Sequence, residues 1–226
     1  LKSHKRALGL AEVMNVPGVL GGDSDLIKKL LSFADKKIDG HAPLLRGSDL
    51  SAYIASGVST CHESSEKSEA LEKIRKGMKV WIREGSVAKD LDALISVLSV
   101  ETSMSTGFCT DDRNPLDISA EGHLDYLIKS GIKKGIRPEI VYRSASFSVA
   151  QHYGLFRYGA IAPGHYADLV LLNDANSCDI HSVYKKGILA DEIISKEQVL
   201  QKSKFKNTIN CAEVLSNELE PIKGRV

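Results

Sequence analysis

With 30 basic and 29 acidic side chains among 226 residues, the chain carries a formal net charge of only +1, so no global field draws it to nucleic acid or to an anionic membrane. Its 42% hydrophobic and 26% charged content is ordinary for a globular chain, and its longest apolar runs, such as 169–172, fall far short of the ~20 residues a bilayer span requires. The cysteines Cys61, Cys109, Cys178 and Cys211 are widely spaced with no C-x-x-C pair, which argues against a disulfide framework or a cysteine zinc site and for reduced thiols in a cytoplasm.

The chain opens at Leu1 without an initiator Met or a secretory leader, and its first readable element is already a carboxylate-bearing strand; it reads as a fragment. Residues 9–14 form that strand. Asp23 or Ser24 then caps a helix whose apolar side includes Leu26, Leu30, Leu31 and Ala34. A short strand around Ile38 runs into Asp39-Gly40-His41. A helix capped near Ser48 carries Leu50, Tyr53 and Ile54 and stops at Gly57. Strand 58–61 ends at His62-Glu63, helix 66–76 stops at Gly77, and strand 79–83 follows. Residues 90–98 are helical, with Leu91, Leu94, Ile95 and Leu98 on one side, and strand 105–110 ends at Asp111-Asp112.

Beyond Asp112 the pattern changes. Helices are expected over 120–132 and 138–153, the second with Pro138 in its first turn. A turn (GAIAPG, 159–164) leads to a strand over 166–172, and a second strand with a turn at Gly187 covers 183–190. The last ~35 residues are charged and weakly patterned, and no structure is assigned to them.

The strand ends recur at spacings of 29, 21, 21 and 28 residues from Glu12 through His41, His62 and Arg83 to Asp111. Units of this length build a parallel sheet with right-handed crossovers, and no glycine fingerprint for a dinucleotide follows any strand. The pattern favours an α/β fold in which residues 1–155 form the later part of a (β/α)8 barrel, whose chemistry gathers at the carboxyl ends of its strands. Residues 156–226 read as part of a small β domain. Glu12, His41, His62 and Asp111 occupy successive strand ends, and mixed imidazole and carboxylate donors from separate strands suit a catalytic Zn, Fe or Mn site. His4, His123, His152, His165 and His181 fall in helical or loop patterns as packing or surface residues, and Cys61 and Cys109 read as small buried apolar groups.

The order Glu…His…His…Asp on later strands resembles the amidohydrolase superfamily, and GHYADLV (164–170) is similar to the segment by which those proteins re-enter their small β-sandwich domain. AEVMNVPG (11–18), DGHAP (39–43), CHE (61–63), IREGSVAKD (82–90) and CTDDRNPLD (109–117) resemble the adenine deaminase branch. The resemblance covers residues 3–175 and implies two divalent cations, Mn or Fe with Zn tolerated, acting on a small-molecule purine. Glu12, His41 and His62 would hold one cation, with Glu12 bridging to a second touched by Asp111. Asp111 would carry the proton, Glu63 and Asp112 would bind the purine ring edge or donate a proton, or else support the neighbouring His62 and Asp111, and Arg83, Glu84 and Ser86 would face the substrate. That superfamily also places an H-x-H pair on its first strand, and none occurs here. The resemblance therefore implies a complementing N-terminal segment, from a second chain or a longer product, and no turnover by these residues alone; the absence of the first barrel strands would leave open sheet edges that favour self-association as a homo-oligomer. Another amidohydrolase acting on a cyclic amine or amide, and a non-catalytic remnant or partner-binding fragment, stay open.

Overall fold

The structure, a computed structural model, describes residues 3–4 and 7–194. Cys211 and the weakly patterned tail lie outside the described residues. The strands β1 (Gly9–Val13), β2 (Lys37–Gly40), β3 (Thr60–Cys61), β4 (Lys79–Arg83) and β5 (Thr106–Cys109) follow one another in space as in sequence. β1 pairs with β2, β3 with β4 and β4 with β5, all parallel. The amide of Ser59 donates to the carbonyl of Ile38 at 2.9 Å, which brings β3 beside β2.

Helices connect these strands. α1 (Val16–Leu20) and α2 (Ser24–Ser32) link β1 to β2, α3 (Gly47–Ala55) leads to β3, and α4 (Lys67–Arg75) leads to β4. α5 (Leu91–Leu94) and a 3-10 turn (Ile95–Val97) lead to β5. Val80, Trp81 and Ile82 of β4 are all buried, as expected of a parallel strand covered on both faces. One apolar cluster joins Val80, Ile82 and Phe108 to Leu91, Leu94, Leu127 and Val141; a second joins Val13, Ile38 and Cys61 to Leu30, Leu50 and Tyr53.

Several expected elements are redrawn. The helix expected over 120–132 is two helices, α6 (Pro115–Glu121) and α7 (Leu124–Lys133), because Gly122 takes φ 108°, outside any right-handed helix. Helix 138–153 likewise divides into α8 (Pro138–Ala145) and α9 (Phe147–His152) at Ser146, whose φ of −133° and ψ of −76° are non-helical. Asn15 and Asn114 cap α1 and α6, each with a proline in the first turn, a start signal independent of apolar periodicity. α3 is preceded by Arg46 and not by Ser48, which lies within its first turn. Leu31 is 67% exposed, and Ala34 lies beyond the end of α2.

The expected strand over 183–190 is an antiparallel hairpin, β7 (Asp179–Lys185) and β8 (Ile188–Leu189), turning at Lys186 and Gly187, both at positive φ. β7 also pairs antiparallel with β6 (Leu169–Asp174). This is one three-stranded sheet; among the described residues no second sheet packs on it to make a sandwich. The chain up to Ala190 forms one compact unit, and the last described residues, 191–194 of α10 (Ala190–Ile194), belong to a second. Among the described residues no helix is long and apolar enough to cross a membrane.

Ile82 is fully buried between the parallel strands and their helices, so Ile82→Ala should lower unfolding stability by about 2–5 kcal/mol. The exposed Leu31→Ala should change it by less than about 0.5 kcal/mol, both read from denaturant midpoints. His152 packs edge-on to Trp81 at 5.4 Å, and burial lowers its pKa to about 4 from 6.5. The unfolded chain takes up this proton below about pH 6.5 while the folded chain does not, so stability should fall from pH 6.5 down to about 4 and level off beneath. His152→Gln should flatten that slope in a pH series of unfolding curves.

Candidate metal centre

Glu12 leaves β1 at an irregular point. The β1–β2 register shifts between Leu10 and Val13, and Glu12 itself has φ 42°, a left-handed conformation rare for a side chain of this size. A bulge of this kind re-aims a side chain, and here Glu12 Oε1 lies 2.8 Å from His41 Nδ1 and 3.3 Å from His62 Nε2. Glu63 joins them, with Oε1 3.6 Å from His41 Nδ1 and 3.2 Å from His62 Nε2. One donor atom from each of Glu12, His41, His62 and Glu63 falls within 4.8 Å of all the others.

These residues fit a divalent cation. Carboxylate oxygens of Glu12 and Glu63 close on ring nitrogens of His41 and His62, and a cation among them would satisfy the lone pairs that these atoms turn toward one another. The half-exposed carboxylate of Glu12 gives it an open side, as a catalytic site requires, while Glu63 and the two rings are mostly buried.

Tyr53, a fully buried residue of α3, holds two of these strand ends together. Its hydroxyl donates to the carbonyl of Val13, next to Glu12, and accepts from the amide of His41 at 3.1 Å. Burial pushes its pKa up to about 12, so it remains a neutral donor. Its spacing in α3 marks it only as an apolar-face residue; no local sequence signal distinguishes the bridging hydroxyl.

Arg83 lies behind Glu63. Its Nη1 bonds Glu63 and lies 3.4 Å from Asp111 Oδ2, while Nε and Nη2 reach Asp90 Oδ2 at 3.0 and 2.9 Å. Burial works against its charge, but the bond to Asp90 and the charges of Glu63, Asp90 and Asp111 together hold its pKa above the ordinary value. Asp111, at φ 45°, does not join the close donor group, although it lines the same cavity.

The other expected site residues face different partners. Glu84 is buried, its carboxyl accepts from the amide of Leu91 at 3.1 Å at the start of α5, and burial raises its pKa. Asp112 accepts from the amides of Ser86 and Val87 at 3.1 and 3.0 Å. Gly85 permits that approach, since a Cβ there would fall 1.6 Å from Asp112 Oδ1. Ser86 Oγ bonds Asp117 and accepts from Asn114 at 2.9 Å. Glu84, Ser86 and Asp112 thus brace the loop after β4.

A cavity of about 230 Å³ opens beside the donors, lined by Glu12, His62 and Asp111 together with Asp39, Trp81 and Tyr153. Tyr153 donates to Asp39 at 2.9 Å and accepts from Trp81 Nε1 at 3.3 Å, so this wall is fixed by hydrogen bonds as well as by packing. Cys109 also lines it, and burial pushes its thiol up to about 12. That thiol is not a ready nucleophile.

A model of the amidohydrolase family matches residues 13–189. The adenine deaminase of Gluconobacter oxydans (strain 621H) is 53% identical over 193 residues, covering 85% of this chain and 34% of that protein. The adenine deaminase of Methylobacterium sp. (strain 4-46) is 50% identical over 213 residues, covering 94% of this chain and 38% of that protein. The chain thus spans little more than a third of the length of these relatives. Among solved structures, N-acetyl-D-glucosamine-6-phosphate deacetylase from Mycobacterium smegmatis superimposes with a TM-score of 0.60 at 16% identity, over 79% of this chain and 54% of that one. The N-acetylglucosamine-6-phosphate deacetylase from Thermotoga maritima gives 0.56 at 16% identity, over 74% and 56%. At that identity the likeness is one of fold.

Tyr53→Phe leaves the His41 amide and the Val13 carbonyl without their shared partner. It should cost about 1–3 kcal/mol in unfolding stability, read from urea midpoints. A midpoint equal to that of the parent would show that the bridge is not formed.

Proposed function

Because the chain belongs to the amidohydrolase family, we propose that it carries part of the site of a hydrolytic adenine deaminase. Water and adenine would give hypoxanthine and ammonia, the carbon–nitrogen bond to the amino group breaking as a carbon–oxygen bond forms. The observation that carries this reading is the convergence of Glu12, His41, His62 and Glu63 beside an aromatic-walled cavity. Sequence identity of about 50% to adenine deaminases supports the choice of substrate.

In this reading residues 1–155 are the later part of a (β/α)8 barrel, and residues 156–226 belong to a partial β-sandwich domain that includes β6 to β8. Glu12, His41 and His62 would hold one divalent cation, and Glu12 would share a second with Asp111. The donors suit Mn or Fe and tolerate Zn. Bound cations would supply Lewis acidity and a water acidic enough to attack near neutral pH.

The remaining steps belong to this chain's side chains. Asp111 takes a proton at its carboxylate from the attacking water and returns it to the departing amino nitrogen. Glu63, braced by Arg83, would meet the purine edge, and Trp81 and Tyr153 line the cavity that would receive the ring. Asp112, Glu84 and Ser86 hold the loop that shapes the substrate mouth. The H-x-H pair would come from residues outside these 226, in a longer product or a complementing segment; the open sheet edges make self-association into a homo-oligomer the other expected partnership. A cytoplasmic setting suits the purine substrate and the reduced cysteines.

The full-length product, loaded with Mn or Fe, should release ammonia from adenine, and Asp111→Asn should lower kcat by roughly 10²–10⁴. The 226-residue chain alone should show no turnover. Failure of the loaded full-length product to release ammonia from adenine sinks the deaminase reading; turnover of other ring amines in its place moves it to a different amidohydrolase activity.

A further inference from the structure

Glu69 and Lys73 lie one turn apart on α4, both fully buried, with Lys73 Nζ 2.5 Å from Glu69 Oε1. A buried ion pair persists only where its remaining lone pairs and protons are also satisfied. Here the partners lie on the two loops that carry the histidines. Lys73 Nζ donates to the carbonyl of Ala42 at 2.7 Å and to Ser64 Oγ at 3.0 Å, with Cys61 Sγ at 3.3 Å. Glu69 Oε1 accepts from the amide of Leu44 at 2.8 Å, and its Oε2 accepts from the amide of Ser65 at 3.3 Å.

Ala42 directly follows His41, and Cys61 and Ser64 flank His62-Glu63. A second observation concerns Leu44, which sits at φ 58°, a conformation costly for a branched side chain. Such strain survives only where the surroundings over-determine it, and the carboxylate of Glu69 is what takes its amide.

We infer that Glu69 and Lys73 are a positioning pair which sets the spacing of the two histidine loops, so that His41 Nδ1 and His62 Nε2 converge on one cation. The cation itself rests on the reading proposed above; the coupling of the loops does not. An apolar pair of similar volume would fill the same space under α4, yet could not engage the loops' carbonyl, hydroxyl and amides.

The test compares the parent chain with Lys73→Met/Glu69→Leu, which removes both charges together, and with Leu127→Ala, a cavity in the other core cluster that lowers stability without touching either loop. Two quantities are measured: Mn²⁺ and Zn²⁺ dissociation constants by competition with a chelator, and amide exchange at Leu44 and Ser65 in the metal-free chain. The double variant should bind both ions about 10–100-fold more weakly. Its Leu44 and Ser65 amides should exchange faster than any change in global stability explains. Leu127→Ala should keep the parent's metal affinity despite its lower unfolding midpoint. Should the double variant not fold, Glu69→Gln, which keeps the volume, is read in its place by the same two measurements.

Parent-like metal affinity in the paired variant, or unchanged exchange at Leu44 and Ser65, overturns the positioning role. A parent chain that binds neither ion overturns the metal reading instead, and the exchange measurement then decides the loop coupling by itself.

Discussion

Glu12 meets both histidines only because β1 loses register with β2 around Glu12. Regular parallel pairing would send alternate side chains to opposite faces at even intervals. The shift between Leu10 and Val13, with Glu12 at φ 42°, turns the carboxylate toward the neighbouring strand ends. The local backbone does not favour that turn, so the bulge has to be held from outside. Tyr53 holds it: its hydroxyl takes the carbonyl of Val13, one residue beyond the bulge, and receives the amide of His41. One buried phenol therefore fixes both partners of the shortest nitrogen–oxygen contact among the donors.

The same logic extends along the sheet. β2 and β3 contribute only a few paired residues at their ends, too few to fix the height of the loops that follow. α4 supplies the missing constraint from beneath with Glu69 and Lys73, and Asp90, the residue just before α5, supplies it at the next strand by gripping Arg83. Each helix thus contributes more than an apolar face. Polar groups on α4 and at the start of α5 reach the carboxyl ends of the strands, where desolvation makes every satisfied bond matter and every orphaned one expensive.

This division separates what is legible in the sequence from what is not. The strand ends are legible because imidazoles and carboxylates that close successive apolar runs at 21- to 29-residue intervals are what a parallel sheet with chemistry at one edge requires. Five parallel strands in spatial order follow from the same spacing. The supports are not legible. Glu69 and Lys73 stand at i and i+4, the signature of a solvated pair on a helix surface, and only the tertiary fold makes them buried. Tyr53 has the periodicity of a core residue and is one; its hydroxyl is what matters. The breaks at Gly122 and Ser146 are hidden by apolar patterns that continue on both sides of them.

The adjacent aspartates Asp111 and Asp112 show how finely backbone geometry sorts residues that sequence leaves equivalent. Asp111 stands in a left-handed conformation, lines the cavity and lies within reach of Arg83. Asp112 accepts the amides of Ser86 and Val87, an approach that Gly85 permits by having no side chain. Asp112 is thereby committed to the loop after β4, whereas Asp111 is left facing the cavity. Arg83 completes the division: with Nε and Nη2 on Asp90, it has only Nη1 for the site, and that nitrogen serves Glu63 and Asp111 together. A guanidinium so committed orients Glu63 among the donors and Asp111 at the cavity wall, and leaves the open face of the donors to whatever enters it.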